Sequence, residues 1–160
     1  MMNRQKIYKI ACIVLLIDQI LKIIVRNSIN LFQEIKIIKN FFYLTHLENT
    51  GAAFSVLENS TIFLIIISVL FILFLDKYIR KEEKNFNKLD IISFGLIMGG
   101  IYGNLIDRII HQGVIDYLSF IIFKYDFPVF NFADICIVVG ACLIIIDTLF
   151  IKKNNQIEKK

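Results

Sequence analysis

Four long apolar runs constrain this chain more than any other feature. They cover residues 10–25, 59–75, 91–106 and 135–151. The second and third hold no charge, the fourth holds only Asp147, and the first holds Asp18 and Lys22. Each run is slightly shorter than the roughly 20 residues that cross a bilayer as a helix, and tolerated flanking residues lengthen each one. A chain of 160 residues that is 57% hydrophobic exceeds the roughly 45–50% of soluble domains, too much apolar surface for a globule of this size to hide. Disorder is excluded by the same composition. The expectation is one α-helical integral membrane domain over residues 1–160, a four-transmembrane-helix bundle with helices at about 7–25, 59–78, 89–107 and 132–151.

The first run follows a basic start and so imitates a secretory signal peptide. Its two internal charges, and the lack of a small-residue cleavage site after Val25, favour a retained helix. Cys12, Cys136 and Cys142 sit inside apolar runs without a CxxC pair, so they read as buried small hydrophobes.

Cations set the expected orientation. Arg4, Lys6 and Lys9 precede the first run, and Lys77, Arg80, Lys81, Lys84 and Lys88 link the second and third. With Lys152, Lys153, Lys159 and Lys160 in the tail, these are 12 of the 18 cations, all on one side of a four-span topology. The positive-inside rule then places both termini in the cytoplasm. The two long connections face outward. Residues 34–39, 41–47 and 114–123 mix β-branched, aromatic and polar side chains, predicting a small extracytoplasmic β-cradle. Phe41, Phe42, Tyr43, Phe120, Phe123 and Tyr125 are expected near the headgroups, at least as an interfacial belt.

Ionisable groups inside spans are costly and tend to face a bundle interior or a wet cavity. Asp18 and Lys22 share a helix face, four residues apart. In the predicted topology they lie in the outer half of the first helix, level with Asn104, Asp107 and Arg108 and with Asn131 and Asp134. Asn49 and Asp116 belong to the outer connections. Each has a purely structural reading: an ion pair for Asp18–Lys22, a helix cap for Asn131 or Asp134, snorkelling for Arg108. Gly99, Gly100 and Gly103 read equally as sites of close helix packing. Asp76, Asp90 and Asp147 lie near cytoplasmic ends and read as solvated or capping. It is the convergence that points to a site.

His46 and His111 form no HExxH, and no serine sits in GxSxG, so zinc and serine hydrolysis lack their motifs. Carboxylates remain. Two of them sharing a proton can activate water and protonate a carbonyl, as in aspartic proteases. On the residues alone, Asp107 is as well placed for this as Asp116.

Five motifs, in order along nearly the whole chain, resemble those of the lipoprotein signal peptidase (signal peptidase II) family. They are Asp18-Gln19-Ile20-Leu21-Lys22, Asn49-Thr50-Gly51-Ala52-Ala53-Phe54-Ser55, residues 99–108 (GGIYGNLIDR), Val114-Ile115-Asp116-Tyr117 and Phe130-Asn131-Phe132-Ala133-Asp134. Ile101 departs from the small residue expected after the glycine pair, and bears on packing rather than on the reaction. The resemblance implies a bacterial inner-membrane aspartyl endopeptidase that removes signal peptides from diacylglyceryl-modified prolipoproteins, just before the lipidated cysteine. It implies Asp116 and Asp134 as the catalytic pair, with Asn49, Gly51, Asn104, Asp107, Arg108 and Asn131 binding substrate and Asp18 and Lys22 in support. It implies no metal or organic cofactor, inhibition by globomycin, and lipid but no nucleic acid as partner. The chain is expected to work as a monomer, with its site near the extracytoplasmic surface. A small transporter using the same polar cluster, or a membrane scaffold with dispensable acids, are the rival readings. Internal repeats and midplane polar groups, which a transporter would favour, are not visible.

Overall fold

The computed structural model describes residues 2–51 and 60–152. Ala52, Ala53, Phe54 and Ser55 of the second motif, Asn59 at the expected start of the second helix, and Lys153, Lys159 and Lys160 lie outside the described residues. With neither Gly nor Pro between them, residues Asn3–Ser28 run as one 26-residue helix, α1. At 1.5 Å per residue it is about 39 Å long. Its buried positions are Ile7, Ala11, Val14, Asp18, Lys22 and Val25, one stripe of three- and four-residue steps. Asp18 and Lys22 therefore continue the apolar stripe inward.

Strands β1 (Glu34–Ile38) and β2 (Phe42–Asn49) follow, then α2 (Thr61–Glu82) and α3 (Lys88–His111). After β3 (Val114–Ile122) and β4 (Tyr125–Asp126), α4 (Phe132–Ile146) continues through a π-helical segment, Asp147–Lys152. The helices outrun their expected limits where no breaker stands, α1 beginning at Asn3 rather than near residue 7 and α3 ending at His111 rather than near 107. Gln112, in the left-handed conformation at φ 59°, closes α3.

Among the described residues three helices are long and apolar enough to cross a membrane: Thr61–Glu82, Lys88–His111 and Phe132–Phe150. α1, the other expected span, is not among them. Asp18, Lys22 and Arg26 crowd the apolar part of α1, so that helix has the length but not the uncharged run. α3 is the central helix, 72% buried over its most apolar window against 17% for α2 and 22% for the α4 span. It is thin where neighbours cross it. A Cβ on Gly99 would come within 2.7 Å of the Ala11 carbonyl of α1, and one on Gly100 within 2.5 Å of the Ala133 carbonyl of α4. Small residues let membrane helices approach this closely.

The strands form one antiparallel sheet in the order β1-β2-β3-β4. Ile115 and Tyr117 of β3 pack on Val25 and Ile29, seating the sheet on the end of α1. The opposite end of the bundle is tied separately. Asn3 Nδ2 donates to the carbonyls of Glu83 and Phe86 at 2.8 and 3.2 Å, and Asn87 Nδ2 donates to both oxygens of Asp147. Asp90 and Asp147 are buried rather than solvated, Asp90 completing a capping box with Asn87. Of the three cysteines only Cys136 is buried; Cys12 and Cys142 lie exposed on apolar helices.

Candidate active site

α4 begins with a reciprocal cap. Asn131 Oδ1 accepts from the Asp134 amide at 3.0 Å, and Asp134 Oδ2 accepts from the Asn131 amide at 3.1 Å. This capping box satisfies two orphan amides of the helix start. It also leaves the Asn131 side-chain amide free to point elsewhere. That Nδ2 donates to Asp116 Oδ1 at 2.7 Å and to Asn104 Oδ1 at 3.1 Å. One residue thus ties together the two carboxylates, Asp116 on β3 and Asp134 on α4.

Each carboxylate has a second donor. Asn49 Nδ2 reaches Asp116 Oδ2 at 2.9 Å, where β2 pairs with β3, and Asn104 Nδ2 reaches Asp134 Oδ1 at 2.8 Å. Burial pushes the Asp116 carboxyl up to about 7, with the Asp134 charge adding to the rise and the Asn49 and Asn131 amides opposing it. Two carboxylates held close resist double ionisation.

Below the pair lies a buried cation. Lys22 Nζ contacts Asp18 Oδ2 and Asp107 Oδ2 at 2.8 Å each, and Asn104 Oδ1 at 2.9 Å. Three acceptors match the three protons of an ammonium group. Asp18 Oδ1 also accepts from the Ala133 amide at 3.1 Å, so α1 braces the first turn of α4. Asp107 is fully engaged, accepting from Gln19 Nε2 at 2.9 Å and from the Ile115 amide at 3.3 Å.

The pair opens into a cleft of about 810 Å³. Asp116, Asp134, Asn49, Gly51, Asn104 and Arg108 all line it; Asp107, Asn131, Asp18 and Lys22 lie behind. Arg108 reaches the carbonyls of Asn104 and Gly51 only at 3.4 Å, and its buried Nε has no partner among the described residues. The second wall comes from β4 and the segment after it, with Tyr125, Phe127, Pro128 and Phe130.

The structure therefore brings the sequence-chosen residues together in two layers. Sequence reasoning gave three contributors no role of their own. Gln19 was a legible signal, being a polar side chain inside an apolar run. Tyr117 Oη accepts from the Phe132 amide at 3.2 Å, pinning β3 to the start of α4. The apolar wall after β4 carried no signal beyond Pro128. Among the described residues no group of His, Cys, Asp and Glu side chains forms a metal site.

Two solved structures, each described as a bacterial membrane enzyme determined by the in meso method, are similar to this chain. One is 32% identical with a TM-score of 0.82, covering 91% of this chain and 88% of that one. The other is 32% identical with a TM-score of 0.78, covering 89% and 91%. Residues 10–150 match the family model described as signal peptidase (SPase) II. The chain belongs to the signal peptidase II family, the Peptidase_A8 peptidases, and is a membrane protein of that family.

Proposed function

We propose that the chain is an intramembrane aspartyl endopeptidase of four transmembrane helices. It removes signal peptides from diacylglyceryl-modified prolipoproteins, cutting on the N-terminal side of the lipidated cysteine. The observation that carries this reading is the Asp116–Asn131–Asp134 linkage at the mouth of the cleft. Asp107 has its two oxygens committed to Lys22, Gln19 and the Ile115 amide, which favours Asp116 as the partner of Asp134.

The division of labour follows from position. Asp134 lies in the first turn of α4, where amides and the helix dipole favour negative charge. It takes a proton from a water as that water attacks the scissile carbonyl carbon. Asp116, raised to about 7, holds the shared proton and gives it to the carbonyl oxygen. Collapse of the tetrahedral gem-diol then breaks the C–N bond. Asp134 passes its proton to the departing amine, and Asp116 takes one back from the gem-diol hydroxyl, restoring the pair. Arg108, with an unspent Nε, and Gly51 hold the peptide backbone in the cleft. Access is lateral, acyl chains staying in lipid. The protein sits in the bacterial inner membrane with its termini cytoplasmic.

The test is cleavage of a purified lipidated prolipoprotein in detergent, blocked by globomycin. Asp116→Asn and Asp134→Asn should each lower turnover about 10²–10⁴-fold, the usual weight of acid–base catalysis. Asp107→Asn should show mainly as a loss of thermal stability. Near-normal turnover by Asp116→Asn would return Asp107 to the dyad; near-normal turnover by both dyad variants would refute the aspartyl mechanism.

A further inference from the structure

The sheet has two ends. At one, Asn49 pairs with Val114 and the dyad lies close by; at the other, Phe42 pairs with Phe120. The turns β1–β2 and β3–β4 both fall at this second end, joined by the bond from the Ile121 amide to the Phe41 carbonyl. The β3–β4 turn consists of Phe123 and Lys124, at φ 51° and 65°. A two-residue turn with both central residues left-handed usually takes Asn-Gly, because a bulky side chain is disfavoured there. Here the strained conformation projects Phe123 outward, 100% exposed. Beside it the neighbouring turn exposes Lys39 and Phe41. The outer strand β1 is exposed along its whole length, with Ile37 and Ile38, next to Lys36, each 51% open.

Such an edge invites aggregation in water. None of Lys36, Lys39 and Lys124 forms an ion pair among the described residues. Of the exposed acids in the sheet, Glu34 stands at the other end of β1 and Glu48 at the dyad end of β2. Asp126 lines the cleft two residues from Lys124, so the three lysines of the tip outnumber the acids near it. An interfacial anchor combines apolar side chains with cations. The stacked Phe42 and Phe120, at 4.6 Å between ring centroids, belong to the sheet's own packing and are not part of the exposed set.

We propose that this far end of the sheet is a lipid-binding foot: Phe123 and Phe41 enter the acyl region of the leaflet, while Lys36, Lys39 and Lys124 bind anionic phosphate headgroups. The proposal rests on the membrane-spanning reading of the helices. It gives the site a second support on the bilayer, at the end of the sheet opposite the dyad. The sheet is then held to the leaflet at this end as well as by its packing on α1.

The chain has no Trp, so single substitutions report cleanly. Phe123→Trp, and separately Phe74→Trp on the exposed face of α2, are placed in vesicles of acyl-brominated phosphatidylcholine with or without phosphatidylglycerol. The foot requires quenching of Trp at 123 in the anionic vesicles. Most of that quenching is lost in a Lys39→Glu/Lys124→Glu background, or on adding salt to the unaltered background. Trp quenched at 74 but not at 123 would overturn the foot alone. Absence of quenching at both would overturn the spanning reading and the foot with it. Equal quenching at 123 in both vesicle types, unmoved by salt, would remove the headgroup contacts. A blue-shifted but unquenched Trp at 123 would mean a protein contact and overturn the lipid assignment.

Discussion

Asn131 does two jobs that are usually assigned to different residues. Its backbone amide and side-chain oxygen close the capping box with Asp134, and its side-chain Nδ2 holds Asp116. Capping and site-building were competing readings of this residue in the sequence, yet the geometry makes them one arrangement. The pH dependence of cleavage follows from it. A raised carboxyl pKa keeps the proton on the pair at low pH and releases it as pH rises through about 7. Turnover should therefore fall on the alkaline side of about pH 7. The Asn49 amide stabilises the ionised form of Asp116, so Asn49→Ala should move that limb to higher pH. A profile of kcat/KM against pH for both proteins checks the shift. Movement toward lower pH would show that Asn49 does not bond the charged carboxylate.

At the level of elements, α1 explains what was legible in the chain and what was not. Apolar runs located α2, α3 and α4, and the mixture of β-branched, aromatic and polar residues located β1, β2 and β3 to within a few residues. The apolar run of α1 made it look like any other span, while the two charges within it, Asp18 and Lys22, serve α3 and α4. Asp107 and Asp116 were indistinguishable in the sequence for the same reason. Asp107 lies in the last turns of α3 and Asp116 follows that helix closely, and the packing of β3 on α1 leaves one against Lys22 and the other at the cleft. Gly103 belongs to this assembly, since a Cβ there would overlap the Asp18 carboxylate. Gly103→Ala should therefore push Asp18 off Lys22, lowering both thermal stability in detergent and turnover. Breaking a buried ion pair costs about 3–5 kcal/mol, an upper bound where α1 can slide to recover it. Gly113→Ala, whose nearest neighbour would be the Asn49 carbonyl at 3.3 Å, should cost less. Equal melting temperatures for the two variants would contradict the α1 brace.

The molecule as a whole is polarised, and the polarity decides which side of the membrane the reaction faces. Hydrogen bonds tie the start of α1 to the α2–α3 link, and the start of α3 to the end of α4, so these segments share one end. That end carries most of the cations among the described residues: Arg4, Lys6, Lys9, Lys77, Arg80, Lys81, Lys84 and Lys88. The sheet and the dyad occupy the other end. Cations close to spans are held back from translocation, so the dyad should face away from the cytoplasm. Cysteine labelling reads this directly. In a chain whose Cys12, Cys136 and Cys142 are replaced by Ser, a Glu34→Cys variant on β1 should react with a membrane-impermeant maleimide added to spheroplasts. Lys84→Cys, in the α2–α3 link, should react only after lysis. The reverse pattern would put the cleft in the cytoplasm, and a peptidase so oriented would meet unsecreted chains instead of lipidated ones. Orientation is thus as much a part of the proposed specificity as the lining of the cleft.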